Sequence, residues 1–218
     1  MGGATAYVRR SYRDRPTLTA WGPGLAHLLD ALLAAGTLDR LAPAWISVPR
    51  NDLGLVTERC VIRAGGDWEW MWTGVAPPLQ PGEDCLVALD DAADAEEIRR
   101  LAAAENPRFE GHPGTGESEV WLGIRDDAGD LLACGAVHRL ASGAAHLAGV
   151  LVAVRARRAG LGRAVSAALT RWAVDREGVC TLGMYADNDP ARRLYHSLGY
   201  RTDKEWSSRV LVRVRHPS

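Results

Sequence analysis

The sequence predicts an α/β (α+β) protein with a mixed, mostly antiparallel sheet flanked by helices and an extra N-terminal α+β segment. Three observations carry this. Runs with a two-residue apolar period cluster as hairpins between residues 119 and 154. A strongly patterned helix follows: Leu161, Ala164, Val165, Ala168, Leu169, Trp172 and Ala173 recur at helical spacing between Gly160 and Gly178. Pro77, Pro78, Pro81 and Gly82 separate this region from a first segment with its own helix and strands. The chain is therefore divided into residues 1–82 and a main domain, 83–218.

In the first segment, Leu25, Leu28, Leu29, Leu32 and Leu33 share one helix face, and Gly36 stops the helix. Ala44 to Val48, Thr57 to Ala64 and Asp67 to Thr73 read as strands. The last sets Trp68, Trp70 and Trp72 on one face, expected to be a core face packed on that helix, with an aromatic wall of a substrate cleft as the alternative. In the main domain come a strand, Cys85 to Leu89, and a helix, Asp94 to Glu105, opened by an Asp94/Glu97 capping box. Strands follow at Glu119 to Arg125, Leu131 to Leu140 and Ala145 to Val154, the first two joined by a turn over Asp126 to Gly129. After the Gly160 helix come a strand, Val179 to Ala186, a short helix opened by Asp189-Pro190 and closed by Gly199, and a last strand with Val210, Val212 and Val214 alternating with charges.

Composition narrows the function. A hydrophobic content of 47% suffices for an independent core. A formal charge of −1 lacks the basic excess that drives non-specific nucleic-acid binding, so no nucleic-acid partner is expected. Cys60, Cys85, Cys134 and Cys180 have neither Cys-x-x-Cys nor Cys/His spacing, which predicts reduced thiols and no metal site. With no apolar run of about 18 residues and no signal-like core after Met1 to Arg10, a cytoplasmic protein without a membrane partner is expected.

The segment Arg155-Ala156-Arg157-Arg158-Ala159-Gly160-Leu161-Gly162-Arg163 joins a strand to a helix. Unpaired N–H groups and the positive dipole end of a helix start attract anions, and glycine lets the backbone come close. Residues 155 to 171 hold five arginines and no acid, which suits a pyrophosphate. Only Gly160-x-Gly162 is present, so neither a dinucleotide fingerprint nor a P-loop is spelled.

Arg157-x-x-Gly160-x-Gly162 resembles the coenzyme A pyrophosphate motif of the GCN5-related N-acetyltransferase (GNAT) superfamily. The stretch from Asn188 through Ala191 and Tyr195 to Gly199-Tyr200 is similar to that family's later signature. The resemblance runs from about Glu83 to His216 and implies a sheet splayed between the strands ending at Val154 and Ala186, where pantetheine lies. It implies acetyl-CoA as co-substrate, with backbone contacts from Val152, Ala153 and Val154, a pyrophosphate cradle of Arg157, Arg158, Ala159, Gly160, Leu161, Gly162 and Arg163, and further contacts from Asn188, Arg192 and Tyr195.

It also implies the reaction: N-acetylation of a primary amine of a small molecule, amino acid or protein by direct attack in a ternary complex. Val152 would supply a backbone oxyanion donor and Tyr195 the proton for the departing thiolate. Relatives often carry a carboxylate base on the strand that here spans Ala145 to Val154, but this strand has no Asp or Glu. His146 and His138, which titrate in the right range, are the candidates instead, and Glu110, His112, Glu117 and Glu119 border the loop that faces the acceptor in relatives. Cys134, mid-strand and without a motif, is read as core rather than as an acyl-accepting nucleophile. The missing carboxylate keeps a rival open, a non-catalytic acyl-CoA-binding or scaffold protein. A homodimer is left open, and the acceptor is unread.

Overall fold

The computed structural model describes residues 3–10 and 16–214. His216, at the end of the family-like stretch, and the first two residues of the stretch inspected for a leader lie outside the described residues. The chain forms two compact units: Met1–Trp70 with Met184–Asp189 and Asp203–Ser218, and Met71–Gly183 with Pro190–Thr202. Pairing in the sheet is mostly antiparallel, and helices flank it.

In the first unit β1 (Thr5–Arg10) pairs antiparallel with β2 (Pro16–Trp21), which runs parallel to β3 (Trp45–Pro49). The other edge of β3 pairs antiparallel with β10 (Arg201–Val214), and β4 (Cys60–Thr73) follows in the order. α1 (Leu25–Ala34), which the short α2 (Thr37–Leu41) follows, buries Leu25 and Leu29, one turn apart, against Leu18, Ile46, Val48 and Val56. Full burial of each such side chain contributes roughly 1.5–3 kcal/mol.

Two expectations change here. Residues from Thr57 to Arg59 are helical, within α3 (Leu53–Arg59), and the two strands expected around Gly65-Gly66 are one continuous strand. Thr57 Oγ1 donates to the Gly54 carbonyl and Arg59 reaches Asp30 at 2.6 Å, contacts that a strand could not make together. The three indoles, moreover, do not form the core face of β4. From Asp67 to Thr73 the buried side chains are Glu69, Met71 and Thr73, while Trp72 is 40% exposed. Trp68 stacks on Trp206 with ring centroids 5.6 Å apart and donates its indole N–H to Ser208 Oγ.

In the second unit the strand order is β9 (Cys180–Tyr185), β8 (Ala145–Val152), β7 (Leu131–Arg139), β6 (Ser118–Arg125) and β5 (Leu86–Leu89). Only the β8–β9 pairing among these is parallel. The β6–β7 turn is held by Asp126, whose carboxylate accepts the Ala128 and Asp130 N–H groups, with Gly129 at φ 89°. α4 (Ala95–Glu105) starts where the capping pattern predicts, yet no capping box forms. The Asp94 and Glu97 carboxylates are drawn to Arg125 at 2.9 and 2.7 Å, because a guanidinium offers a stronger charge-assisted bond than a neutral amide.

α5 (Leu161–Glu177) packs on β7 and β8, with Gly160 and Gly178 in left-handed geometry at its two ends. Gly135 makes the close approach possible: a Cβ there would stand 2.9 Å from Val165 Cγ1. α6 (Asp189–Ser197) precedes Tyr200, whose hydroxyl shares a buried 2.8 Å hydrogen bond with Thr170 on α5.

Candidate active site

The loop from β8 to α5 has the geometry of an anion cradle. Val154–Ala156 makes one tight turn, Arg158 takes φ 66°, and the uncapped Gly160 at φ 83° turns the chain into α5. No acidic side chain occupies the first turn of the helix. The Leu161 and Gly162 N–H groups find no acceptor among the described residues and lie at the positive end of the helix dipole. Gly162 is held close to its surroundings, since a Cβ there would lie 3.2 Å from Val152 Cγ2 and 3.8 Å from Leu194 Cδ1.

The five arginines counted over 155–171 do not act alike. Arg155 is bound to Asp126 at 2.8 Å, and Arg171 to Glu83 and to the Pro77 and Pro78 carbonyls. Arg157 folds back on the Val152 and Glu105 carbonyls at 3.4 and 3.3 Å, whereas Arg158 is exposed and Arg163 half-buried. Glu105 also accepts the Val154 N–H, at 3.1 Å, a contact the sequence reading did not anticipate. Ala153, by contrast, is buried and donates its N–H to Leu132.

β8 and β9 pair only from Ala145↔Cys180 to Leu147↔Leu182, although β8 continues to Val152. Because the Ala153 N–H bonds Leu132, residue pair 132/153 is a hydrogen-bonded pair of the β7–β8 ladder. Val152, opposite Ala133, therefore turns its N–H and C=O away from β7. Its backbone faces the side on which the β9 ladder has ended. A bulge interrupts β8 between the Ala136↔Ala148 and Cys134↔Leu151 pairs, with Gly149 at φ 61° against Gly111, Trp121 and Phe109. A glycine inside a strand pattern is the sequence signal that could have located this bulge.

At the head of β8 the structure brings the two candidate bases together. His138 and His146 are cross-strand partners with ring centroids 5.0 Å apart. His146 Nδ1 lies 2.9 Å from Thr181 Oγ1 on β9, and that hydroxyl donates to the Ala145 carbonyl. Burial lowers the pKa of His138, nearby His112 lowers it further, and Glu117 opposes both. His112 Nδ1 and the Glu117 carboxylate lie 2.5 Å apart, whereas Glu119 is bound to Arg139. Asp91 ties the same loop down by accepting from the Gly116 N–H and the Trp121 indole.

Tyr195 on α6 is 9% exposed and meets Tyr200 edge-on with centroids 5.7 Å apart. Burial pushes its pKa up to about 12; the Ser166 hydroxyl pulls the other way, although Ser166 Oγ falls short of hydrogen-bond geometry with any partner. Arg192, three residues earlier, is half-buried, and exposed Asn188 donates its N–H to Tyr185 in the turn before α6. Cys134 is fully buried and its thiol is raised to about 12 by burial, so it supplies no thiolate nucleophile. A cleft of about 630 Å³ in the first unit, bordered by Trp21, Leu25, Arg50, Leu55 and Glu205, includes none of these side chains.

A model of the acetyltransferase (GNAT) family matches residues 86–200, from β5 through the uncapped loop to Tyr200. The chain belongs to the GNAT family. It is an acyltransferase by that membership, and the sheet and flanking helices are those of GNAT folds. Among solved GNAT structures, a protein from Novosphingobium aromaticivorans is 25% identical over 88% of this chain and 83% of its own, with a TM-score of 0.62. A GCN5-related N-acetyltransferase from Sphaerobacter thermophilus is 19% identical, covers 97% and 77% of the two chains, and has a TM-score of 0.63. A tandem GNAT protein of the clavulanic acid biosynthesis pathway matches all of this chain and 84% of its own at 13% identity and a TM-score of 0.55. No curated protein matches the chain. Among the described residues no helix is long and apolar enough to cross a membrane, and no group of three or more His, Cys, Asp or Glu is placed to hold a metal.

Proposed function

We propose that the protein transfers an acetyl group from acetyl-CoA to a primary amine by direct attack in a ternary complex. The observation that carries the donor is the conjunction at Val152: the β8–β9 ladder stops at Leu147, the Val152 backbone turns to the opened side, and the uncapped start of α5 packs against its side chain. A chain of backbone donors of this kind suits a pantetheine amide followed by a pyrophosphate. Each N–H bond to a charged oxygen contributes about 1.5–3 kcal/mol.

For the acceptor half, His146 is the general base, with His138 tilted beside it on β7. An amine of pKa about 10.4 costs about 4–5 kcal/mol to deprotonate at pH 7, so a positioned proton acceptor has to receive that proton. The Val152 backbone, on the opened side of β8, is offered to the pantetheine arm. Tyr195 stays protonated throughout the neutral range and offers its O–H to the departing sulfur. Full transfer from a phenol at about 12 to a thiolate of pKa about 8.5 is uphill by roughly 5 kcal/mol, so hydrogen-bond donation as the C–S bond lengthens is its first contribution.

The deciding measurement is thiol release from acetyl-CoA against a panel of amines, amino acids and lysine peptides, with His146→Gln alongside. Turnover in the parent and a loss of about 10²-fold in the variant support the assignment. The absence of Asp and Glu from β8 favours one second reading, an acyl-CoA-binding protein without turnover. Tight coenzyme A binding with a silent panel selects it.

A further inference from the structure

We infer that Glu105 is a latch on the donor loop: its carboxylate holds the Val154 N–H until coenzyme A displaces it. The inference rests on the reading of this loop as the donor site. Ala153 turns its N–H inward to Leu132, so the groups that the end of β8 offers outward are those of Val152 and Val154. The protein occupies one acceptor and one donor of that pair itself. Glu105 Oε2 accepts the Val154 N–H at 3.1 Å. The Arg157 guanidinium donates to the Val152 carbonyl at 3.4 Å through Nε and to the Glu105 carbonyl at 3.3 Å through Nη2.

The latch comes from outside the loop. Residues 155–171 contain no Asp or Glu, and no acid stands in the first turn of α5. Glu105 is the last residue of α4, 49 positions before Val154, and α4 packs on β7 and β8, so the helix delivers a carboxylate to a fixed place beside the loop. Downstream, the Leu161 and Gly162 N–H groups find no acceptor among the described residues. The donor loop is thus divided: an internal anion holds its strand end, and its helix end is open.

Two costs fall on a cofactor that enters here. A backbone N–H carries one proton, so a ligand oxygen gains the Val154 donor only as Glu105 gives it up. Breaking that bond weakens binding by about three- to tenfold. The carboxylate also sets a negative charge beside an incoming pyrophosphate, a repulsion that salt screens over about 8–10 Å. Release needs no unfolding, because the bond is at the surface and Val154 is 57% exposed.

Calorimetric titration of the full chain with coenzyme A, in the parent, Glu105→Gln and Glu105→Ala, separates the two costs. Glu105→Ala removes both and is expected to bind coenzyme A about three- to tenfold more tightly than the parent. Glu105→Gln keeps an acceptor oxygen and loses the charge; it is expected to gain less, and its gain shrinks as salt rises from about 0.05 to 0.5 M. Amide hydrogen exchange at Val154 reads the bond itself. It should be faster in Glu105→Ala than in the parent without ligand, and equal in the two at saturating coenzyme A. Equal or weaker binding in Glu105→Ala, or unchanged exchange at Val154, overturns the latch and leaves the donor site standing. If none of the three proteins binds coenzyme A, the donor reading itself fails and the latch falls with it.

Discussion

Gly162, in the first turn of α5, lies so close to Val152 on β8 that a Cβ would approach Val152 Cγ2 to 3.2 Å. The helix start and the strand edge thus meet at the place proposed for coenzyme A. Glycine there serves proximity, not a left-handed turn, since that role falls to Gly160 at φ 83°. Gly162→Val is expected to weaken coenzyme A binding at least tenfold, and Gly162→Ala by less, because the smaller side chain needs a shift of only a few tenths of an ångström. Calorimetric titration with coenzyme A checks both; unchanged affinity in the valine variant removes the cradle from this loop.

Tyr195→Phe deletes only the buried hydroxyl. Turnover is expected to fall about 10²- to 10⁴-fold with coenzyme A affinity nearly unchanged. Because burial holds the phenol near 12, no activity loss assignable to Tyr195 ionisation is expected up to pH 9. Steady-state rates from pH 6 to 9 on both proteins test the two statements together.

His138 gives stability a defined pH dependence. Its pKa is lower in the folded protein than the ordinary 6.5, with burial the main cause, so the unfolded chain binds more protons between the two values. The contribution is complete above about pH 6.5, diminishes as the pH falls below it, and levels off under the folded pKa. Urea midpoints between pH 5 and 7.5 should show this loss in the parent and a smaller one in His138→Gln.

Arg125 joins the start of α4 to the β6–β7 hairpin through Asp94 and Glu97, and Glu97 also accepts the Leu131 N–H. Arg125→Met leaves two part-buried carboxylates side by side without their cation. A loss of about 1–3 kcal/mol in unfolding free energy is expected, read from denaturant titration at pH 7. Adding Glu97→Gln to Arg125→Met should recover part of it by removing one of the facing charges.

Much of the main domain was legible because it is written in local patterns. The i, i+3, i+4 apolar series between Gly160 and Gly178 marked α5 to within a residue, and Asp126 to Gly129 marked the hairpin turn. Competition between partners distant in sequence was not legible. Asp94 and Glu97 spelled a capping box and went to Arg125; Arg155 and Arg171, at the two ends of the basic stretch, were taken by Asp126 and Glu83. The alternation around Trp68 located a strand but not its buried face, since a period of two leaves two faces and packing selects one.

The sequence by itself determined the family: Arg157, Gly160 and Gly162 stand ahead of a patterned helix, with Asn188 and Tyr195 following at the family's spacing. These are short-range features, set by the conformations that neighbouring residues allow one another. Only the tertiary structure decided which distant groups stand together. His138 and His146 are brought ring to ring by strand register, Thr181 reaches His146 from 35 residues away, and Glu105 holds the Val154 N–H from 49. Such contacts depend on where strands stop pairing and which donor claims which acceptor, and both are settled when the whole chain packs.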